Sequence, residues 1–192
     1  ALSRAPIAWT EDEFYQYLRQ GHSRQHGAAA GPMASVVRAM GPAPDADIRS
    51  IAHYLASLQG GERPVKGQAK DLIALAAEGA PLPGRAQRQF EGSCGGCHYD
   101  GSSNHLLGQN LPLALNTNLY SDRPDNLIRI ILDGIQAPAS VDSGFMPGFR
   151  EIMTDRQLTE LIQWMRQRFA PGQHPWENLA QSVARVRVES AN

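Results

Sequence analysis

Cys94-Gly95-Gly96-Cys97-His98 decides the fold, because this stretch contains both cysteines of the chain and a histidine directly after the second. A Cys-x-x-Cys-His run is the attachment peptide of c-type haem. The two sulfurs form thioethers with the haem vinyl groups, and the adjacent imidazole becomes an axial ligand of the iron. We therefore predict one covalent haem c held by Cys94 and Cys97, with His98 as an iron ligand.

A Cys-x-x-Cys pair also occurs in redox dithiols and in zinc sites. A thioredoxin-like dithiol is expected within a βαβ unit, and a structural zinc needs two further ligands. The chain has no other cysteine, and His105 would complete only three ligands. The two glycines between the cysteines suit a porphyrin edge lying against the backbone. Haem c is therefore favoured over both alternatives.

Met146 is predicted to be the second axial ligand, in the loop Gly144-Phe145-Met146-Pro147-Gly148-Phe149. A methionine beside phenylalanines usually fills a core. Here, however, glycine and proline shape a loop between two predicted helices, where there is little core to fill. Ligation by His98 and Met146 raises the potential of the iron and suits electron transfer. Phe145 and Phe149 are expected to cover the haem edge.

Together with the haem motif, three further stretches make the chain resemble the class I cytochromes c, namely residues 111–116, 125–134 and 144–147. They resemble in particular the C-terminal part of the multihaem cytochrome c subunits of bacterial periplasmic dehydrogenases, of the nicotinate, isoquinoline, aldehyde, alcohol and gluconate types. The resemblance implies that the Pro112 carbonyl accepts a hydrogen bond from the His98 ring and so fixes its tautomer.

Helical periodicity and caps predict an all-α fold. Thr10 with Glu13, and Thr154 with Gln157, have the spacing of capping boxes that open helices. Apolar residues at helical spacing follow the second box and mark the buried face of the helix that it opens. This apolar stripe consists of Leu158, Leu161, Ile162, Met165 and Phe169. The fold class expected is a cytochrome c-like helical domain around a covalent haem, preceded by a second, incomplete cytochrome c-like half-domain.

The incomplete half-domain is inferred from an internal repeat. An offset of 113 carries Phe14, Leu18, Gly21 and Met33 onto Leu127, Ile131, Gly134 and Met146, and an offset of 110 relates the helices beyond. The first block, residues 1–60, has no attachment peptide of its own. It is either half of a domain whose motif lies upstream, with Met33 as a ligand of that haem, or a degenerate repeat with Met33 as packing. His22 and His26, which precede Met33, are expected to be solvated.

Four segments are predicted. Residues 1–60 are the partial cytochrome c-like domain and residues 61–84 a linker with one helix. Residues 85–170 are the cytochrome c domain, and residues 171–192 are a C-terminal tail that docks on a neighbouring domain or a partner. The cytochrome c domain and the tail together, residues 85–192, are called the second block.

Composition excludes some classes of protein. The chain has 192 residues and a formal net charge of −1, without the basic excess of a nucleic-acid-binding protein. No stretch reaches the roughly 20 apolar residues of a membrane span, so any membrane association is expected through a partner or a segment outside this sequence. The N-terminus has no signal-peptide core. Because haem c is attached to exported proteins, a periplasmic location is expected.

The predicted function is electron transfer and not catalysis. The chain is expected to pass electrons from a dehydrogenase catalytic subunit, a class that includes molybdenum enzymes, to the next haem, a quinone or an oxidase. The alternative is a haem enzyme or a gas or redox sensor with an open sixth coordination site. Such a site needs distal acid or base groups, and the loop around Met146 offers none before Arg150.

Overall fold

The computed structural model describes residues 4–23, 25–59, 67–79, 84–98, 112–135 and 146–189. The helices are α1 Glu11–Gln20, α2 Pro32–Met40, α3 Asp45–Ser57, α4 Gln68–Glu78, α5 Arg85–Ser93, α6 Gly95–His98, α7 Thr117–Tyr120, α8 Asp125–Asp133, α9 Asp155–Phe169 and α10 Leu179–Glu189. In these ranges, a hairpin of β1 (His22–Ser23) and β2 (Gly27–Ala28) and one isolated bridge are the only strand-like pairings. The predicted all-α fold is confirmed. No described helix has the length and apolar character needed to cross a bilayer.

The sequence of α9 explains both its start and its buried face. The Thr154 hydroxyl accepts a hydrogen bond from the Gln157 N–H at 3.3 Å, and the Gln157 side chain accepts one from the Thr154 N–H at 3.0 Å. A cap of this kind is worth about 1 kcal/mol. The predicted stripe from Leu158 to Phe169 is buried throughout. This face forms the centre of the largest apolar cluster of the described residues.

Phe90 fixes α5 against α9. Its ring lies 5.0 Å from that of Trp164 and 5.3 Å from that of Phe169, measured between centroids. Tilted aromatic pairs of this kind add about 0.5–1.5 kcal/mol to the burial of their surface. Because α5 leads directly into Cys94, this contact sets the position of the cysteine peptide.

The C-terminal tail packs on the rest of the second block. Leu179, Val183 and Val186 of α10 are buried in the same apolar cluster, against α8 and α9. Arg187 donates to the Met153 carbonyl at 2.7 Å and to the Arg150 carbonyl at 2.7 Å. In return, Arg150 donates to the Arg187 carbonyl at 2.8 Å. The domain onto which the tail docks is therefore the segment that precedes it.

In the first block, α1 packs against α3. The capping box of Thr10 and Glu13 opens α1, as predicted. Phe14 and Leu18 of α1 are buried, as are Ile48 and Ala52 of α3, because both helices carry these residues at a spacing of four, on one face.

A stack of three rings joins α1 to the hairpin. Trp9 lies between Phe14, at 4.7 Å, and His26, at 3.9 Å, both nearly parallel to it. The solvated position expected for His26 is wrong, because the hairpin turns the chain back and leaves His26 only 2% exposed. His22 is half-buried.

The ends and starts of the helices in the two blocks are related by the same offsets as the repeat. Gln20 and Asp133, which end α1 and α8, are related by 113, and Asp45 and Asp155, which begin α3 and α9, by 110. The capping glycines agree as well. Gly21 has φ 79° and Gly134 has φ 73°, and each donates its N–H to the carbonyl four residues earlier at 2.9 Å. Both helices therefore end at a glycine with positive φ, but only Gly21, with ψ 8°, is in the left-handed helical region, whereas Gly134 has ψ −172°.

The two blocks differ in structure at the two methionines that the repeat relates. Ile135 pairs with Met146, whereas its counterpart His22 pairs with Ala28 and not with Met33. Met33 lies in the first turn of α2. The first block thus reverses direction sooner, and the same offset gives the two methionines different backbone settings.

Contacts connect the two blocks. The Thr117 N–H donates to the His26 carbonyl at 3.3 Å. The linker helix, predicted between residues 61 and 84, is α4, which packs against the turn Leu113–Leu115 and α9, while Gln68 at its start donates to the Pro6 carbonyl at 3.3 Å. The boundaries at residues 60, 84 and 170 stay predictions.

Glu13 gives α1 a dependence on pH. Burial disfavours its charged form, but the His26 ring and the Thr10 N–H and hydroxyl outweigh burial and hold the pKa of Glu13 below its usual value. The stability that this carboxylate contributes is therefore present above its unfolded pKa, near 4.3, and is lost as the pH falls through the folded pKa. We expect hydrogen-exchange protection factors in α1 to fall between about pH 5 and pH 3.

The matched variants are Glu13→Gln, which keeps an accepting oxygen for the cap, and Asp12→Asn, which changes a carboxylate of the same turn that is 86% exposed. Glu13→Gln should flatten the acid dependence, and Asp12→Asn should leave it in place. Equal acid dependence in the chain and in Glu13→Gln would contradict the role of Glu13.

Candidate functional site

The cysteine peptide is a helical turn that follows α5. The Cys94 N–H donates to the Phe90 carbonyl at 2.7 Å, and the Cys94 carbonyl accepts from the N–H groups of Cys97, at 3.0 Å, and His98, at 2.9 Å. Cys94 and Cys97 are therefore three positions apart on one turn, where side chains share a face. Two thioether bonds to one porphyrin edge require this arrangement.

The surroundings of Cys94 favour a neutral sulfur. Cys94 is half-buried and packs against the apolar cluster that contains Phe90 and α9. Burial, and secondarily the neighbouring Cys97, raises the pKa of the Cys94 thiol to about 11. Zinc binding and dithiol exchange both need a thiolate, whereas a thioether carries no charge. The site thus fits haem c better than either alternative considered from the sequence.

His98 closes the turn and is half-buried, with its Nδ1 atom inaccessible to solvent. The Pro112 carbonyl accepts the Leu115 N–H at 2.9 Å. A carbonyl oxygen has a second lone pair, so this bond leaves room for the hydrogen bond expected from His98. That bond stays a prediction. The segment between them, residues 99–111, lies outside the described residues.

Four backbone hydrogen bonds fasten the Met146 segment to the end of α8. Ile135 and Met146 exchange two, at 2.9 and 3.1 Å, and the N–H groups of Phe149 and Arg150 donate to the carbonyls of Ile131, at 2.9 Å, and Leu132, at 3.1 Å. Met146 is half-buried and packs against the same apolar cluster as Cys94. The structure therefore brings the cysteine peptide and the methionine onto one core.

The predictions for the two phenylalanines of this loop have different outcomes. Phe149 is buried in the apolar cluster, and its place at a haem edge stays a prediction. Phe145 lies outside the described residues.

Gly134 and Gly148 permit the close crossing of this segment over α8, and the sequence interpretation missed them. A Cβ on Gly134 would lie 2.3 Å from the Met146 carbonyl oxygen, and one on Gly148 would lie 2.7 Å from the Leu132 carbonyl oxygen. Real Cβ atoms do not approach backbone so closely. The signal was a pair of glycines, one ending a predicted helix and one following Met146-Pro147, but only the fold shows that they meet.

Comparison with known proteins agrees with the resemblance expected from the sequence. Residues 81–165 match the family model of cytochrome C oxidase, cbb3-type, subunit III. The chain is 42% identical over 194 residues to a nicotinate dehydrogenase subunit of Pseudomonas putida, over 98% of the chain and 16% of that protein. The expected resemblance is confirmed.

Two cytochrome subunits are also similar. The chain is 26% identical to the fructose dehydrogenase cytochrome subunit of Gluconobacter japonicus, over 86% of the chain and 38% of that protein. It is 32% identical to the gluconate 2-dehydrogenase cytochrome c subunit of Pantoea cypripedii, over 82% and 37%. The chain thus spans well under half the length of each relative.

The crossing at Gly134 predicts the effect of a single methyl group. Gly134→Ala places a Cβ at a left-handed φ and also against backbone, so we expect it to lower the free energy of unfolding by roughly 1–3 kcal/mol more than left-handed strain alone. Urea unfolding of the haem-loaded chain measures this loss.

Two glycines serve as controls for strain without a clash. Gly21 has φ 79° and a nearest contact of 3.6 Å, and Gly172 has φ 85° and open space around it. If Gly134→Ala costs no more than Gly21→Ala or Gly172→Ala, the close crossing does not constrain the loop.

Proposed function

We propose, from the match of residues 81–165 to a cytochrome family model, that the chain transfers single electrons through a haem c that Cys94 and Cys97 would hold, with His98 and Met146 as its iron ligands. The observation that carries the proposal is that Cys94 and Met146 pack against one apolar cluster. An attachment peptide and a soft sulfur on the same core are what a six-coordinate haem requires.

The bound haem supplies a reversible one-electron couple. Each protein group has a separate task. Cys94 and Cys97 would hold the porphyrin edge on the turn after α5, and His98 would ligate the iron from that turn. The Met146 sulfur is soft and neutral, and as a ligand it would favour the ferrous state. The four hydrogen bonds of its segment hold it in place without a charge. The site provides orientation and tuning, and the proposed function is not enzymatic.

The route of the electrons is proposed from the relatives. Subunits of nicotinate, fructose and gluconate dehydrogenases are similar to this chain. We propose that a dehydrogenase catalytic subunit, molybdenum enzymes included, donates electrons, and that the next haem, a quinone or an oxidase accepts them. Because haem c is attached to exported proteins, the proposed location is the periplasm.

Axial ligation by Met146 is tested by Met146→Ala. A weak sulfur-to-iron band in the near-red spectrum of the oxidised protein should vanish, and the reduction potential should fall, because a soft ligand that favours the ferrous iron is lost. Met33→Ala is the matched control, since Met33 is also half-buried. It should keep both the band and the potential. A band that survives Met146→Ala would overturn the ligation and favour the alternative of an open sixth site.

The proposed haem content is one per chain, because the chain has two cysteines and both lie in one attachment peptide. We expect iron analysis and the alkaline pyridine spectrum of the purified 192-residue chain to give one haem. Haem staining on a denaturing gel should be positive and should disappear when both cysteines are changed to alanine. Two haems per chain, or a colourless gel band for the unchanged chain, would refute the proposal.

A further inference from the structure

An apolar stripe on α3 faces outward. Tyr54 is 62% exposed, Leu58 just beyond the helix end is 56% exposed and Ile51 is 36% exposed. These residues lie three and four positions apart and therefore on one side of the helix. The neighbouring side of α3, with Ile48 and Ala52, is buried against α1. Large apolar side chains grouped in this way mark an interaction surface more often than single exposed ones do.

The repeat shows what covers the same stripe in the second block. The offset of 110 carries Ile51 to Leu161 and Tyr54 to Trp164, and these are only 0% and 7% exposed. At Trp164 the difference arises from α5, because its Phe90 lies against that ring at 5.0 Å between centroids. The stripe of α9 is thus a helix-binding face that is occupied within its own block.

The described residues do not supply such a helix to α3. Within them, α1 is the helix that packs extensively on α3. The helix α5 is engaged with α9, and α4 packs on the second block. Tyr54 therefore remains open at the position where Trp164 is covered, and Leu58, which the offset carries to Arg168, extends the apolar stripe of α3 beyond its counterpart.

We infer that the α3 stripe of Ile51, Tyr54 and Leu58 is the docking surface for a helix of the α5 type that belongs to a separate cytochrome c unit. Such a helix is short and amphipathic, carries an aromatic residue on its apolar face and leads into a haem-attachment peptide. The inference rests on the proposed function, because its partner is a second redox unit. Docking there places a second haem-bearing turn beside the first block, in the place that the turn of Cys94 takes in the second.

The test uses the haem-loaded chain and a synthetic peptide that copies residues 85–98, with both cysteines replaced by serine. The peptide is added up to about 1 mM, a range in which even millimolar affinity is detected. We expect the amide shifts in nuclear magnetic resonance spectra to concentrate on α3 around Tyr54. Tyr54→Lys should weaken binding by roughly tenfold or more, as loss of an aromatic anchor does.

Three controls define the result. Ile152→Lys changes a distant apolar residue that is 70% exposed and should leave binding intact. A peptide with alanine at the position of Phe90 should bind at least as weakly as Tyr54→Lys does to the original peptide. Met146→Ala should bind the peptide normally, so a failure of the proposed ligation does not disturb this test.

Three outcomes would overturn the inference. The first is the absence of shifts on α3, and the second is equal binding by Tyr54→Lys and Ile152→Lys. The third is self-association of the chain in sedimentation that Tyr54→Lys abolishes, which would assign the stripe to a second copy of the chain.

Discussion

The second block depends on one close approach of backbone to backbone, where Gly134 and Gly148 meet. At this point the Met146 segment crosses the end of α8, with no space for a side-chain carbon at either glycine. The approach lets Ile135 and Met146 pair, which brings the methionine to the same core that Cys94 contacts. The sulfur proposed as an axial ligand is therefore positioned by main-chain geometry, with little dependence on the flexible methionine side chain itself.

Local signals in the sequence predicted the helices well. The capping boxes at Thr10 and Thr154 start α1 and α9 as expected, and the stripe of α9 is buried. The attachment peptide was evident because its chemistry lies in five consecutive residues. The residues whose environment depends on distant parts of the chain could not be foreseen. His26 lies on Trp9 because of a hairpin reversal, and no local pattern encodes that encounter.

The two blocks show how far a repeated pattern determines structure. Helix ends agree, and each is followed by a glycine of positive φ, because these features are governed by interactions within one turn. The methionine segments differ because their position depends on where the chain crosses a neighbouring helix. The outer faces of α3 and α9 differ for a similar reason, since burial of the second requires α5. Equivalent sequence thus gives equivalent helices, and their surroundings decide what each helix exposes.

The burial of Cys94 has a consequence for the protein before its cofactor is attached. Burial raises the pKa of the Cys94 thiol to about 11, so this sulfur is held as a neutral thiol at neutral pH. Oxidation and disulfide exchange both proceed through the thiolate. In a folded but unloaded chain the Cys94 sulfur is therefore a slow nucleophile in both reactions, which protects this one position until haem is attached.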